Sequence, residues 1–587
     1  MDAFQIEKLK QLNIEDLERL AYDLREEIIK AVSTNGGHLS SNLGMVELTI
    51  ALHKVFDTPE DHIIFDVSHQ TYAHKLLTGR SLENLRKFDG TSGFSKLSES
   101  IHDSYEAGHS STSISAGIGF LEAKKINDSI KEVICVIGDS SITNGLAFEA
   151  LNYLGAKKDQ KAIIILNDNQ MSVSKSVGSL ALSFNKIRVR GNFKLLRKIT
   201  PKGIKKMLKS FAYRQNIFEY LGYRYFEGID GHNIKELIKY LSFAKKSNKS
   251  VVLHVKTIKG KGYKFAEEDR SGYWHHVEPF DISTGLPKSN NNLKLFGEEI
   301  ANHLGHKIDS GEKNIRVITP AMRLGSGLSS FASTHPDNFL DVGIAEENAV
   351  TCASGMALKN IKPFVFIYST FLQRSYDQIL HDVARVNLPV VFCIDRAGVV
   401  DGDGDTHQGI FDVAFLSTIP GITILAPKNT KEAINAIDYA YMQNMPIAIR
   451  YPKYDYNDTL LASNDFNSWD IIKTGKTCII SYGRMLHEVS LLLKDLDIAL
   501  VNAKNLSIID ENILNEFEKF IVIEDVISTC CLGEKIISYC YKNKINKKII
   551  THNLGNTYLE CGSYNELINK YIGDLEHIIK KGDCNAK

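Results

Sequence analysis

The sequence predicts an α/β protein of three domains, in which helices flank mostly parallel sheets. Three observations support this fold class. Short apolar runs recur along the chain, they are apolar on both faces, and segments of helical period separate them. Such strands are typical of parallel sheets that helices cover on both sides. With 587 residues and 43% apolar content, the chain also exceeds what one core accommodates, so several domains are expected.

The apolar runs are the predicted strands. In chain order they are KEVICVIGD, KAIIILND, SVVLHVKT, IRVITP, FLDVGI, KPFVFIYS, LPVVFCID, GITILAP, TCIISYG, DIALVNAK and KFIVIED. Each is far shorter than the roughly 20 residues that a membrane-spanning helix needs. The sequence therefore predicts buried strands and no membrane span.

The domain boundaries are expected where polar composition interrupts this alternation. A stretch rich in Pro, Gly and Asn covers roughly residues 280–296, and a second polar stretch covers roughly residues 450–470. We therefore predict domains at residues 1–292, 293–465 and 466–587.

Composition narrows the classes of partner and location. Lys plus Arg number 70 and Asp plus Glu number 70, so the net charge gives no reason to expect a nucleic acid or a membrane as partner. The first residues, MDAFQIEKLKQLNIEDLERL, have the pattern of a charged amphipathic helix and not of an apolar signal, which favours a cytoplasmic location. The nine cysteines show no CxxC spacing, so neither a disulfide framework nor a zinc site is predicted.

One segment departs from the charge balance. Residues 186–214 contain basic but no acidic side chains. A solvated basic helix or a mobile flap is favoured over a polyanion site. A role in covering a phosphorylated ligand stays open.

Polar residues follow two neighbouring predicted strands. Asp139 comes directly after VICVIG, and Asn169 closes the LNDN that ends the next run. Ligands of open parallel sheets collect beyond the carboxyl ends of strands, where helix N-termini offer N–H groups to a diphosphate. A carboxylate, an amide oxygen and a main-chain carbonyl together suit Mg²⁺. From this motif alone, a helix-capping role for Asp139 is an equally good interpretation.

The spacing of Asp139 and Asn169 is also that of thiamine diphosphate enzymes, and it belongs to a longer resemblance. The stretches that carry it are GGHLSSNLGMVELTIALH, FDVSHQTYAHKLLTGR, AGHSSTSISAGIG, ITPAMRLGSG, DVGIAEENAV, IYSTFLQRSYDQILHDVARVNLPVVFCIDRAGVVDGDGDTHQGIFD and IRYP. In these stretches the chain resembles the 1-deoxy-D-xylulose-5-phosphate synthases, a transketolase-like family. The resemblance covers almost the whole chain and is looser in the C-terminal third.

The resemblance implies a thiamine diphosphate-binding fold and a transferase that uses thiamine diphosphate and Mg²⁺. The implied reaction condenses pyruvate, with loss of CO₂, and D-glyceraldehyde 3-phosphate into 1-deoxy-D-xylulose 5-phosphate. This product would serve isoprenoid (terpenoid), thiamine and pyridoxal biosynthesis. The resemblance also implies a homodimer.

The resemblance further implies which residues hold the cofactor. Asp139, Asn169 and the main-chain oxygen of Met171 would bind Mg²⁺. The residues expected along the thiamine diphosphate are His69, Gly108, His109, Ser110, Ser140, Ser141, Asn169, Tyr263, Glu346 and Phe371. Glu346 would share a proton with the pyrimidine ring from a dry site that raises its pKa, and Phe371 would stack on that ring. The structural alternatives are a helix-start charge for Glu346 and a core role for Phe371.

Other side chains are implied for proton transfer and for the substrates. His38, His407 and Asp403 are expected beside the reacting carbon, where they would assist proton movement. The residues expected to bind the keto acid or the sugar phosphate are Tyr368, Arg374, Arg396, His275, Arg450 and Lys453. For His275 a structural role is an equally good interpretation.

Four positions depart from the family pattern. Ser140 stands where the family commonly has glycine, and serine would be strained if this position needs a positive φ. Glu347 and Asn348 replace the usual Gln-His, and Lys453 replaces an arginine with a point charge. These departures keep two alternatives open: another acyloin-forming or transketolase-type enzyme, and a weakly catalytic, cofactor-binding regulatory copy.

Overall fold

The computed structural model describes residues 6–169, 216–289, 293–456, 459–493 and 496–584. Met171 and the basic segment 186–214, for which predictions were made above, lie outside the described residues. The chain divides into two compact units. Unit 1 comprises Met1–Arg86 and Gly90–Ser289, and unit 2 comprises Lys87–Asp89 and Asn290–Lys587.

The described strands of unit 1 form one parallel sheet. They are β1 (His62–Phe65), β2 (Val133–Gly138), β3 (Ile163–Asp168), β4 (Arg224–Asp230) and β5 (Val251–Lys256). Their order in the sheet is β1-β2-β3-β5-β4, and every neighbouring pair is parallel.

Helices cover both faces of this sheet. The described helices of unit 1 are α1 (Ile6–Leu9), α2 (Ile14–Asn35), α3 (Ser40–Gly44), α4 (Val46–Val55), α5 (Tyr72–Leu77), α6 (Ser113–Ala123), α7 (Gly145–Gly155), α8 (Ile217–Tyr220), α9 (Ile234–Lys245) and α10 (Lys264–Glu267), with 3₁₀ turns at Ser141–Thr143 and Tyr273–His275. Successive residues of β2 enter different cores: Ile134 packs with the α4 and α9 side, and Cys135 packs with the α6 and α7 side. Alternate residues of a strand point to opposite faces, so a strand covered on both sides must be apolar throughout.

Unit 2 contains two further sheets among the residues described. The first consists of β6 (Ile315–Thr319), β7 (Phe339–Asp341), β8 (Lys362–Tyr368), β9 (Val391–Asp395), β10 (Thr423–Leu425) and β11 (Ile447–Arg450), in the order β10-β11-β9-β8-β6-β7. The second consists of β12 (Asp470–Lys473), β13 (Thr477–Ser481), β14 (Ile498–Asn502), β15 (Lys519–Ile523) and β16 (Lys548–His552), in the order β12-β14-β13-β15-β16. All neighbouring pairs are parallel except β12 with β14.

Helices also surround the sheets of unit 2. The described helices are α11 (Phe296–Asp309), α12 (Ser329–Thr334), α13 (Glu346–Ala357), α14 (Ser369–Leu372), α15 (Tyr376–Gln378), α16 (Asp412–Ser417), α17 (Thr430–Met442), α18 (Gly483–Leu492), α19 (Glu511–Glu516), α20 (Leu532–Lys542), α21 (Tyr564–Tyr571) and α22 (Leu575–Cys584), with 3₁₀ turns at Pro336–Asn338 and Gln373–Ser375 and a π-helical turn at Ile379–Ala384. The predicted fold class, α/β with mostly parallel sheets flanked by helices, is confirmed.

Each apolar run predicted as a strand contains a strand in the structure. The strands without a predicted run are β1, β4, β11, β12 and β16. Those at the sheet edges carry polar or half-exposed residues: β12 begins at Asp470, and β16 begins at Lys548. An edge strand has one open side and no need for a continuous apolar sequence, which explains why these were missed.

Across the residues that the structure describes, no helix combines the length and the apolar content that crossing a membrane requires. The cysteines in the described part of the chain, other than Cys584, are free thiols.

Candidate active site

The two predicted Mg²⁺ ligands of unit 1 follow adjacent strands at the same edge of the sheet. β2 and β3 are parallel neighbours with Gly138 opposite Asn167, so Asp139 and Asn169 both lie just beyond the carboxyl ends of their strands. The backbone N–H of Asp139 donates to the Asn167 carbonyl at 3.2 Å, which fixes the two chain segments to each other. Asp139 is buried.

The two polar residues before Asn169 have partners inside the sheet. Thr257 Oγ1 donates to Asn167 Oδ1 at 2.7 Å, and Asp168 Oδ2 lies 2.9 Å from His254 Nε2. These contacts account for Asn167 and Asp168 as structural residues of the sheet edge. Asn169 therefore remains the candidate metal ligand of LNDN.

The turn after β2 does not require glycine. Ser140 has φ −84° and ψ −38°, a right-handed conformation open to any L-residue. The strain expected for a serine at this position is therefore absent. A Cβ built on Gly138 or on Gly145, the first residue of α7, would meet no heavy atom within 4 Å, so this turn borders open space.

A buried carboxylate supports the loop that contains Gly108, His109 and Ser110. Asp66, which follows β1, accepts the N–H groups of Ser111 at 2.7 Å and of Ser113 at 3.1 Å. Ser111 has φ +75°, and its hydroxyl donates to the Ser141 carbonyl at 2.9 Å. This link joins the loop to the turn after β2, so the structure brings together two of the predicted diphosphate-binding segments.

Four histidines form a cluster in unit 1. The ring of His38 lies 4.9 Å from those of His69 and His276 and 5.5 Å from that of His275, between centroids. Burial and the neighbouring imidazoles lower the pKa of His38 well below its ordinary value. Burial lowers the pKa of His275 in the same way, with Lys259 and the other histidines adding to the shift. Both imidazoles are therefore neutral at neutral pH.

Lys259 is a candidate that sequence reasoning missed. Burial lowers its pKa to about 8, against the opposing effect of Asp139 and Asp269. It follows β5 in the stretch TIKGKGY, at the same sheet edge as Asp139. A lysine that precedes a glycine-rich turn just beyond a buried strand was the signal that could have identified it.

Tyr263 has the contacts of a core residue. It is buried, its hydroxyl donates to the Ile282 carbonyl at 3.0 Å, and its ring packs edge-on against Trp274 at 5.2 Å. The structure groups it with this aromatic core and not with the histidine cluster.

In unit 2, Glu346 is the first residue of α13 and only 3% of it is exposed. Its Oε2 makes no hydrogen bond among the described residues; Arg374 Nη1 lies 3.7 Å away. Burial raises the pKa of Glu346 to about 7, Arg374 opposes the rise, and Glu347 adds to it. Near neutral pH this side chain therefore holds a proton part of the time.

Three rings meet at the end of β8: Tyr368 of β8, Phe371 of α14 and His407 of a loop. Phe371 stacks with Tyr368 at 5.7 Å and contacts His407 edge-on at 5.4 Å. Thr370 Oγ1 donates to the Thr406 carbonyl at 2.9 Å. The residues after β8 and the loop with His407 are thus held together.

Arg396 joins this group from the end of β9. Its guanidinium lies 3.8 Å from the centroid of the Tyr368 ring, and its Nη1 donates to Asp395 at 2.7 Å. Asp403 contributes to raising the pKa values of Tyr368 and Arg396, so its charge is nearby. Gly325 is required here, because a Cβ at this position would overlap the Tyr368 hydroxyl.

The two predicted substrate residues of the 450 region differ. Arg450 is buried and donates from two nitrogens to Asp412, at 2.8 and 3.2 Å. This ion pair makes Arg450 a structural residue of the interior. It does not belong to the group around Arg396. Lys453, in contrast, is partly exposed. Burial raises the pKa of Asp395 and the charge of Lys453 opposes that rise, which places Lys453 near that group.

Each unit, taken by itself, has features that fit one part of a cofactor that combines a diphosphate and a basic heterocycle. Unit 1 offers a turn that borders open space, with one carboxylate and one amide at the sheet edge. Unit 2 offers a buried carboxyl oxygen that has no hydrogen-bond partner in the described part of the chain. An oxygen of this kind is costly to bury unless a ligand pairs with it.

Two family models match the chain. The family described as 1-deoxy-D-xylulose-5-phosphate synthase matches residues 2–257, and the transketolase pyrimidine binding domain matches residues 301–459. The matches include the sheet edge of Asp139 and the group around Glu346 and Arg396.

Curated proteins match the chain over nearly its full length. A protein of Clostridium acetobutylicum is 41% identical over 98% of this chain and 98% of its own. One of Clostridium perfringens is 42% identical over 94% of both chains, and one of Geobacillus sp. is 39% identical over 99% of this chain and 98% of its own. All three bear the name 1-deoxy-D-xylulose-5-phosphate synthase.

Proposed function

Because this chain belongs to the family of 1-deoxy-D-xylulose-5-phosphate synthases, we propose that it condenses pyruvate, with release of CO₂, and D-glyceraldehyde 3-phosphate into 1-deoxy-D-xylulose 5-phosphate. The observation that carries the proposal is the 39 to 42% identity to relatives of that name over 94 to 99% of the chain. The protein is then a transferase whose product enters isoprenoid, thiamine and pyridoxal biosynthesis.

The family depends on thiamine diphosphate. When bound, this cofactor supplies the electron sink that loss of CO₂ from an α-keto acid requires. In this chain Asp139 and Asn169 would hold Mg²⁺, with Met171 as the expected third ligand outside the described residues. The residues that would hold the diphosphate are Gly108, His109, Ser110, Ser140, Ser141 and His69.

Glu346 is the residue that would manage a proton at a ring nitrogen. A buried carboxyl with a pKa of about 7 can donate a hydrogen bond when protonated and accept one when ionised. Its Oε2, which lacks a hydrogen-bond partner in the described part of the chain, is the atom at which the proton would move. Phe371 would pack against the same ring.

Neutral histidines would act on the substrate oxygens. His38 and His275 have lowered pKa values, so each can accept a proton and return it within one turnover. The buried Nδ1 of His38 has no hydrogen-bond partner among the described residues and is the atom with free capacity. His407 and Asp403 would have the corresponding task in unit 2.

Arginine, tyrosine and lysine side chains would bind the anionic substrates. Arg396 and Tyr368 form a rigid stacked pair, and Arg374 lies beside Glu346. Lys453 adds a cation that is not fixed in a bidentate geometry. A phosphate or carboxylate in this group would receive charge-assisted hydrogen bonds.

We also propose that the protein acts as a cytoplasmic homodimer with domain boundaries at 1–292, 293–465 and 466–587. Leu146 and Tyr153 lie on the same side of α7 and are exposed, which supports an apolar contact face on unit 1. Sedimentation equilibrium of the purified protein tests the dimer.

The function is tested with purified protein, thiamine diphosphate, Mg²⁺, pyruvate and D-glyceraldehyde 3-phosphate. We expect CO₂ release together with a five-carbon product whose mass matches 1-deoxy-D-xylulose 5-phosphate. CO₂ without this product would point to another acceptor and an acyloin-forming or transketolase-type activity. Cofactor binding without CO₂ would point to a regulatory copy, and both results would overturn the proposal.

A further inference from the structure

The loop with Asp403 and His407 is attached to the third sheet of the chain. At its start, Gly402 donates its N–H to the Gly562 carbonyl at 2.9 Å. Asp401 Oδ1 accepts the N–H of Tyr564 at 2.7 Å. Both partners precede or begin α21, which packs in the C-terminal core of unit 2. The loop is therefore anchored by residues far from it in sequence.

Arg484 is the centre of this attachment. It is the second residue of α18, directly after β13. Its Nη1 donates to Asp401 Oδ2 at 2.7 Å. Its guanidinium lies 3.7 Å from the ring centroid of Tyr564 and 4.4 Å from that of Tyr456. The Arg484 side chain is 14% exposed and that of Asp401 is 51% exposed. The cation is therefore largely shielded from water, which strengthens its contacts with the two rings, while the carboxylate of the ion pair remains half-exposed.

The contacts of Arg484 join three segments that lie far apart in the sequence. Asp401 begins the loop with the predicted proton-transfer residues. Tyr456 lies in the segment after β11 that contains Lys453, and Tyr564 begins α21. One side chain thus holds a loop, a substrate-binding segment and a helix of the third sheet in fixed relation.

The loop needs such an anchor. Gly402 and Gly404 have φ of +73° and +77°, so the backbone of the loop turns through conformations that glycine adopts easily. Ordering flexible residues costs conformational entropy. An ion pair between a loop residue and a largely buried cation outside the loop can offset that cost. Asp401 is the loop side chain that makes this pair.

We propose that Arg484 is a positioning residue, which fixes the Asp401–His407 loop through Asp401 and thereby sets the placement of Asp403 and His407 for the phosphorylated aldehyde. The proposal rests on the proposed function and adds a role for the third domain in catalysis. Positioning errors of about 1 Å can lower rates about 100-fold. The same side chain also holds Tyr456, in the segment of Lys453 that would bind the aldehyde phosphate, so loss of the anchor acts mainly on the aldehyde half of the reaction.

The test compares Arg484→Ala and Arg484→Lys with Lys307→Ala. Lys307 is a matched control, because it also pairs with a carboxylate, Asp438, and lies over a ring, Tyr441, but on helices remote from the loop in sequence. We expect Arg484→Ala to lower kcat/KM for D-glyceraldehyde 3-phosphate about 10- to 100-fold and to leave the KM for pyruvate within about two-fold. Arg484→Lys keeps the charge and should recover part of the loss. Lys307→Ala should match the wild type.

A second measurement does not depend on activity. Hydrogen exchange of the cofactor-free protein reports opening of the backbone N–H groups of Gly402 and Tyr564. We expect faster exchange of both in Arg484→Ala and Asp401→Ala, and unchanged exchange in Lys307→Ala. The effect of the double variant should be smaller than the sum of the two single effects, because both single variants remove the same ion pair.

The outcomes separate the two proposals. Wild-type protein without product would remove the proposed function, and the exchange measurement would still decide the anchor. Unchanged exchange in Arg484→Ala overturns the anchor, as does equal loss for pyruvate and for the aldehyde phosphate. If Arg484→Ala does not fold, Arg484→Lys and Asp401→Ala carry the same two measurements.

Discussion

Burial favours the neutral form of both His38 in unit 1 and Glu346 in unit 2, but it shifts their pKa values in opposite directions. Burial disfavours whichever form is charged. It therefore lowers the pKa of the imidazole, which loses its proton, and raises the pKa of the carboxyl, which keeps one. Unit 1 thus presents a proton acceptor and unit 2 a proton donor near neutral pH, although the shift has one physical origin.

The neighbours of each group explain the size of the contrast. His69, His275 and His276 add to the effect of burial on His38, so its pKa falls well below the ordinary value. Arg374 opposes the effect of burial on Glu346, so its pKa stops at about 7. A single cation at 3.7 Å thus keeps the carboxyl near the point where both protonation states are populated.

The largest effect on activity is expected from Glu346→Gln. The amide has the shape of the carboxyl but cannot release or take up the proton. If Glu346 manages a proton in the reaction, we expect kcat to fall about 1,000-fold, within the range for general acid–base groups, while thiamine diphosphate still binds. Steady-state kinetics with a cofactor-binding titration measures both. Activity within about ten-fold of the wild type would contradict the role of Glu346.

The same variant also tests the protonation state of Glu346 through the pH dependence of stability. A folded-state pKa of about 7 against an ordinary value of 4.5 means that the stabilising proton is present at low pH and is lost as pH rises toward 8. The difference corresponds to about 3 kcal/mol. Cofactor-free Glu346→Gln should therefore gain thermal stability over the wild type between pH 5 and pH 8. A constant difference in Tm across this range would show that the carboxyl is not neutral in the folded protein.

In unit 1, His38→Asn removes the proton acceptor and keeps a polar side chain. We expect a loss of about 100-fold in kcat, smaller than for Glu346→Gln because neighbouring histidines remain. His303→Asn is a control at a partly buried histidine that pairs with Asp438 outside the cluster, and it should keep wild-type kcat. Equal rates for the two variants would remove His38 from catalysis.

The smallest expected effect concerns the turn beside Asp139. Because Ser140 has a negative φ, Ser140→Gly relieves no strain and should lower stability by about 0.5 to 1 kcal/mol, with Mg²⁺ affinity unchanged within about two-fold. Lys544 has φ +56°, so Lys544→Gly should have the opposite sign. Thermal melting of both variants and a Mg²⁺ titration check this. A gain in stability for Ser140→Gly would contradict the right-handed turn.

Sequence reasoning succeeded where a requirement is local. All internal strands except β11 were predicted, because burial on both faces demands continuous apolar runs. The residues around Asp139 and Glu346 were proposed from short motifs, and their roles stay predictions. Partners from distant segments could not be predicted: Arg374 beside Glu346, Asp412 bound to Arg450 and Lys259 near Asp139. These contacts depend on how loops meet in space, which no local pattern encodes.

The polar edge strands of the third sheet have a further consequence. β12 and β16 are its two outer strands, and Asp470, Lys473 and Lys548 lie on them. Charged side chains on an outer strand discourage pairing with a strand of another molecule. The charged residues that made these strands difficult to predict thus protect the protein from aggregation through this sheet at high concentration.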